Sequence, residues 1–184
     1  MPDLAGLKIA YFGFTGPIES GGVTRISAAF NEAVNKGYDQ VHLGFSSAGG
    51  YVADGIFLYN HIKSLPIHTV IYNTGSVSSI AVAAFVAADE RYCSAHSMFL
   101  IHPTSMPSSE GMTAERLQSS LNAALADDSR TENILRERAS IPDNILSARR
   151  FKDVHITPDD ARNYGIVSEI REFALPPGVE VIQI

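Results

Sequence analysis

The groups able to carry reaction chemistry in this 184-residue chain are hydroxyls, carboxylates and six histidines: His42, His61, His68, His96, His102 and His155. No two of the histidines share the HxxxH spacing of a helical zinc site, and the lone Cys93 supplies no thiolate pair, so no metal is implied. Cys93 reads as a small buried hydrophobe. There is no Walker-type phosphate loop, and no GxGxxG follows a strand, so no nucleotide or other cofactor is implied.

Three segments stand out. In Asn73-Thr74-Gly75-Ser76-Val77-Ser78-Ser79-Ile80 a strand gives way, through a glycine-containing turn, to an apolar helix. A serine at such a junction presents its hydroxyl where free backbone N–H groups and the helix dipole stabilise negative charge. Ser76, Ser78 and Ser79 read equally well as caps, a common use of serine. The pair Gly49-Gly50 also lies between a strand and a helix. It is either a plain tight turn or a place where backbone N–H groups approach a carbonyl oxygen unobstructed. His102 ends the apolar run Met98–Ile101 and precedes Pro103, a better position for chemistry than the middle of a helix. The G-x-S-x-G elbow of the α/β-hydrolases is absent.

Alternating strands and helices must position these groups. Residues 8–12, 40–45, 67–72, 91–94 and 98–102 read as strands from their β-branched and aromatic content. Residues 23–36, 52–65 and 78–88 read as helices, the first two from apolar spacing and from stops at Gly37 and Pro66. Strand–helix–strand repetition with short links predicts parallel strands, hence an α/β fold. After a loop over 103–111, residues 113–139 form one long helix with Leu117, Leu121, Leu125 and Leu135 near one stripe. That helix is either a solvated face or, given its narrow stripe, a projection that meets another subunit. Thr157-Pro158-Asp159-Asp160 starts a further helix that Gly165 ends.

The composition is that of one ordinary soluble domain, with 45% hydrophobic and 18% charged residues. A net charge of −6 lacks the basic footprint of a nucleic-acid binder or of a peripheral membrane protein. The longest apolar run, Ile80–Ala88, is too short to span a bilayer. A single cysteine and an N-terminus without signal-peptide character predict a soluble, cytoplasmic protein.

Taken together, the three segments resemble the proteolytic subunit of the Clp protease, whose fold is crotonase-like: repeated β-β-α units with a protruding handle helix. The family's N-S-P-G-G turn corresponds to Ser46-Ser47-Ala48-Gly49-Gly50. Its G-x-A-A-S-M nucleophile segment corresponds to Gly75-Ser76-Val77-Ser78-Ser79-Ile80, and its I-H-Q-P to Ile101-His102-Pro103-Thr104. Its acid-bearing segment, with a downstream Tyr-Gly, corresponds to the run from Lys152-Asp153 to Tyr164-Gly165-Ile166-Val167. The resemblance covers about Lys8 to Val167 and spans all four motifs in order. It departs from the family pattern at Ala48, Ser78, Ile80, Lys152 and Pro103-Thr104, none of which removes a reacting group.

What the resemblance implies is a serine endopeptidase with Ser79 as nucleophile, His102 as general base and Asp153 as triad acid. The oxyanion donors would be the backbone N–H groups of Gly50 and Ile80. It implies one peptidase domain over residues 1–184, with a short tail at 1–7 and the handle helix at 113–140. Substrates would be peptides or unfolded polypeptides, cleaved inside a homo-oligomeric ring that stacks as a double ring through the handle. A Clp-type ATPase is a weakly expected partner. The few residues before Lys8 are too few for the family's axial hairpin, so cleavage without ATP is expected. Two alternatives remain: a crotonase-fold enzyme acting on acyl-CoA, and a catalytically silent ring subunit that assembles or binds.

Overall fold

A computed structural model describes residues 6–106 and 111–184. Residues 1–5 of the expected tail and 107–110 of the expected loop lie outside the described residues.

Strands β1 (Ile9–Thr15), β2 (Gln40–Ser47) and β3 (His68–Ser78) alternate with helices α1 (Ser20–Asn35) and α2 (Val52–Ser64). They pair in parallel and in order, β1 with β2 and β2 with β3. The period of two sorts their side chains cleanly. Phe12, Phe14, Val41, Leu43, Phe45 and Ile71 join the main core beneath the helices. Tyr11, His42 and Tyr72 face the other way and form an aromatic layer with Tyr92 and Phe173. Gly44 lies on that second face, and a Cβ there would meet the Phe173 ring at 2.9 Å.

β3 is longer than expected from the residues. Its first half, Val70–Asn73, carries β4 (Glu90–Cys93), and its far end, Ser76–Ser78, carries β5 (Met98–Ile101). No turn interrupts it at Gly75. The buried Asn73 stitches the change of partner: its side-chain amide donates to the Met98 carbonyl at 2.9 Å, and its oxygen accepts from the Gly75 N–H at 3.1 Å. Helix α3 (Ile80–Phe85) therefore starts two residues later, and ends three residues sooner, than the helix expected over 78–88, and it begins directly after Ser79. It is wholly buried. Gly55 of α2 allows this, because a Cβ there would collide with Ile80.

Helix α4 (Ala114–Arg138) follows, N-capped by the Thr113 side chain. Its second half docks through Ile134 and Leu135, while Leu117, Leu121 and Leu125 remain half exposed. Leu135 thus belongs to the core rather than to the outer stripe. The short elements α5 (Asp143–Ala148), β6 (Val154–Ile156), α6 (Pro158–Asn163), β7 (Glu169–Ile170) and β8 (Ile182–Gln183) complete the chain. β6 runs antiparallel to β5, pairing Ile101 with Val154. Every other pairing among the described strands is parallel. The α/β expectation stands.

Candidate active site

Ser79 sits between the end of β3 and the start of α3 with φ 59° and ψ −133°. Among the described residues it is the one non-glycine with positive φ, a strain costing about 1–3 kcal/mol that the surroundings must hold in place. They do so from two sides. The Ser79 N–H donates to the Leu100 carbonyl of β5 at 2.8 Å, fixing the elbow to the sheet. Gly49, at φ 97°, lies so close that a Cβ on it would approach the Ser79 Cβ to 2.6 Å. Only glycine combines that dihedral with that contact.

Gly50 is held by Ile18. The Ile18 N–H donates to the Gly49 carbonyl and the Tyr51 N–H to the Ile18 carbonyl, both at 2.8 Å. In extended backbone, alternate N–H groups point to opposite sides. With Tyr51 N–H spent on Ile18, that of Gly50 faces away from it, and it has no partner among the described residues. Ile80 is the first residue of α3, so its N–H has no intrahelical acceptor. Gly50, Ser79, Ile80 and His102 all line one cavity of about 50 Å³.

The His102 ring is oriented by its neighbour. Nδ1 lies 2.7 Å from the Pro103 carbonyl oxygen, and because a carbonyl only accepts, the proton is on Nδ1 and the Nε2 lone pair is free. The backbone around the ring is fixed by the buried Arg149, whose Nη1 donates to the His102 carbonyl at 3.0 Å and whose Nη2 donates to the Asp128 carbonyl at 2.9 Å. The Asp128 carboxylate accepts from Thr104 N–H at 2.8 Å and from Thr104 Oγ1 at 2.9 Å. Burial pulls the Arg149 guanidinium below the usual arginine range, and Asp128 opposes that shift.

Asp153 stands apart. The β5–β6 ladder ends at Ile101 and Val154, so the next pair in register is His102 opposite Asp153. The Asp153 side chain is exposed. Among the hydrogen bonds of the described residues, none joins it to His102, and none joins His102 to Ser79. Four of the five expected site residues line one cavity, and the fifth is adjacent in register without its bond. Arg149, Asp128 and Thr104 were not legible as site residues. The one available signal was charge at Asp127-Asp128 and at Arg149-Arg150, which reads as solvated surface.

A family model described as Clp protease matches residues 15–173. The chain belongs to the Clp protease family. It is 26% identical over 144 residues to ATP-dependent Clp protease proteolytic subunit 2 of Pseudomonas aeruginosa, covering 75% of this chain and 71% of that one. It is 26% identical over 134 residues to proteolytic subunit 3 of Rhizobium meliloti, covering 72% and 68%. Among solved structures, a mutant ClpP1 from Listeria monocytogenes matches with a TM-score of 0.75 at 20% identity, over 90% of each chain. The crotonase-like fold of Clp proteolytic subunits is therefore this chain's fold. No helix among the described residues is long and apolar enough to cross a membrane.

Proposed function

We propose that this Clp family member is a serine endopeptidase whose nucleophile is Ser79. The observation that carries the reading is the strained Ser79 elbow, facing the same cavity as His102 and two uncommitted N–H groups. In the reaction, Ser79 Oγ attacks the peptide carbonyl carbon as its proton passes to His102 Nε2. The carbonyl oxygen, now negative, accepts from Gly50 and Ile80 N–H, each worth roughly 3–4 kcal/mol in comparable enzymes. The C–N bond then breaks, the proton moves from Nε2 to the leaving amine, and an acyl-Ser79 ester remains. Water repeats the sequence, giving the free acid and restoring the serine.

Asp153 is the triad acid in this proposal, supported by its register opposite His102. Its carboxylate would replace the Pro103 carbonyl at Nδ1–H and stabilise the imidazolium, which a neutral carbonyl does less well. The unmade Asp153 bond also favours a second reading, a silent subunit held with its acid disengaged. Substrates are peptides or unfolded polypeptides, and the active form is a homo-oligomeric ring stacked through α4. The relatives' names specify ATP dependence, and a Clp-type ATPase is the matching partner.

Fluorophosphonate labelling separates the readings. Stoichiometric labelling of the wild type, lost in Ser79→Ala, is the expected result. No labelling of folded, assembled protein would leave the silent subunit.

A further inference from the structure

The carbonyl that occupies His102 Nδ1 belongs to the peptide group joining Pro103 to Thr104, and that group is held on both sides. Its oxygen lies 2.7 Å from Nδ1. Its N–H, which points the opposite way in a planar trans peptide, donates to Asp128 Oδ1 at 2.8 Å. Thr104 Oγ1 donates to the same carboxylate oxygen at 2.9 Å. Because the group is rigid, its carbonyl cannot turn away from Nδ1 without taking the Thr104 N–H off Asp128.

Asp128 is itself anchored on α4. Its backbone carbonyl accepts from the buried Arg149 Nη2 at 2.9 Å, and the same nitrogen lies 3.5 Å from its Oδ1. The other terminal nitrogen of Arg149 holds the His102 carbonyl at 3.0 Å, so the backbone is fixed ahead of Pro103 as well as behind it. Hydrogen bonds to a carboxylate are stronger than those to a neutral acceptor. The bonds at Thr104 therefore decide where the Pro103 carbonyl sits. The carboxylate is also reachable from outside: with Leu125, Arg150 and Phe151, Asp128 lines a groove of about 440 Å³. Leu125 and Phe151 are exposed there, and Phe151 stands two residues ahead of Asp153.

We propose that Asp128 is a positioning residue that acts as a latch. By holding the Thr104 N–H it keeps the Pro103 carbonyl on His102 Nδ1, and so keeps Asp153 off the base. This rests on the serine-peptidase reading and adds the regulation of that site. When Asp128 lets go, the peptide group turns and Nδ1–H is left to the Asp153 carboxylate, its neighbour in register. Contact made in the groove, where a second copy stacked through α4 would cover Leu125 and Phe151, draws Asp128 from Thr104.

The test labels the full-length protein with a fluorophosphonate over a dilution series. At the lowest concentration Asp128→Ala should label at least about tenfold faster than wild type, the equivalent of losing its bonds to Thr104. The gap should close as assembly rises. Asp128→Asn keeps an acceptor oxygen for both Thr104 donors and should stay near the wild-type rate. Thr104→Ala loses only the hydroxyl bond and leaves the partner of Arg149 in place. It should give a smaller rise, which keeps the latch testable if Asp128→Ala folds poorly. Adding Asp153→Ala should erase the gain, a dependence that a merely structural role for Asp128 would not produce. Rates in Asp128→Ala and Thr104→Ala at or below wild type throughout, or a gain that survives loss of Asp153, overturn the latch and leave Ser79 as nucleophile. Absence of labelling in wild type and in every variant overturns the nucleophile, and the latch with it.

Discussion

Ser79 and Ser78 are adjacent serines with opposite fates. Ser78 is buried with its hydroxyl 3.2 Å from that of Ser76, whereas Ser79 turns at positive φ into the cavity. Ser79→Ala should abolish labelling and hydrolysis with the fold intact, since a hydroxyl is lost without a cavity. Ser78→Ala should keep most activity. Gly49→Ala should cut the labelling rate at least tenfold, because a β-carbon there displaces Ser79 and is strained at φ 97°. Local pattern did not separate the serines, since each could cap the helix; the register of the Clp motif did. Arg149 was illegible for a different reason. A charged residue is almost always solvated, and only the three-dimensional meeting of α4 with the His102 loop gives this one its carbonyl partners.

A second residue-scale consequence concerns pH. His42 lies in the aromatic layer with Nδ1 3.2 Å from the Tyr72 hydroxyl and Nε2 3.1 Å from the Gln40 amide oxygen. This suits a neutral ring that accepts from one and donates to the other. Burial pulls its pKa down to about 4, with Glu90 opposing. The unfolded chain takes up this proton near pH 6.5, so between those values U binds the proton and N does not. Stability should therefore fall as pH drops from about 6.5 to about 4, by on the order of 2–3 kcal/mol. Urea titrations at stepped pH check this, and His42→Gln should flatten that limb. An unchanged limb in the variant would assign the acid sensitivity elsewhere.

At the scale of elements, α4 is two helices' worth of behaviour in one rod. Leu135 is fully buried against the core, whereas Leu121 is 51% exposed. Leu135→Ala should cost about 2–5 kcal/mol in denaturant titrations, and Leu121→Ala should stay within about 0.5 kcal/mol for the dissociated chain. Equal losses would mean that the outer half is packed too. The long elements were legible because apolar spacing persists over several turns in α1 and α2 and because β1 and β2 are rich in β-formers. The two-residue strands β7 and β8 and the six-residue α5 were not. Elements that short carry no period; their pairing is dictated by where the chain has already been taken. The switch of β3 from β4 to β5 was also hidden, since Thr74-Gly75 reads as a turn until Asn73 is seen bridging the two partners.

At the scale of the whole molecule, two observations converge on assembly. The outer half of α4 exposes Leu117, Leu121 and Leu125 in one i, i+4, i+8 row. Next to Gly49 and Gly50, Tyr51 is 69% exposed, and on α2, which Tyr51 precedes, Phe57 is exposed and stacks on His61. Solvent-facing apolar rows of this kind are covered in stable proteins. Meanwhile the exposed Asp153, just before β6, sits in register with His102 but has not engaged it. If contacts made on assembly bring Asp153 onto Nδ1–H, then both sedimentation and reactivity must depend on concentration. Wild-type protein should sediment as a species many times 19.8 kDa. Leu121→Lys should shift it toward small species without altering its far-UV spectrum. The fluorophosphonate labelling rate should fall with the assembled fraction, at least tenfold in the fully dissociated state. A dissociated variant that labels at the wild-type rate would show instead that the lone subunit completes its own triad, and that the Pro103 carbonyl gives way without help from a neighbour.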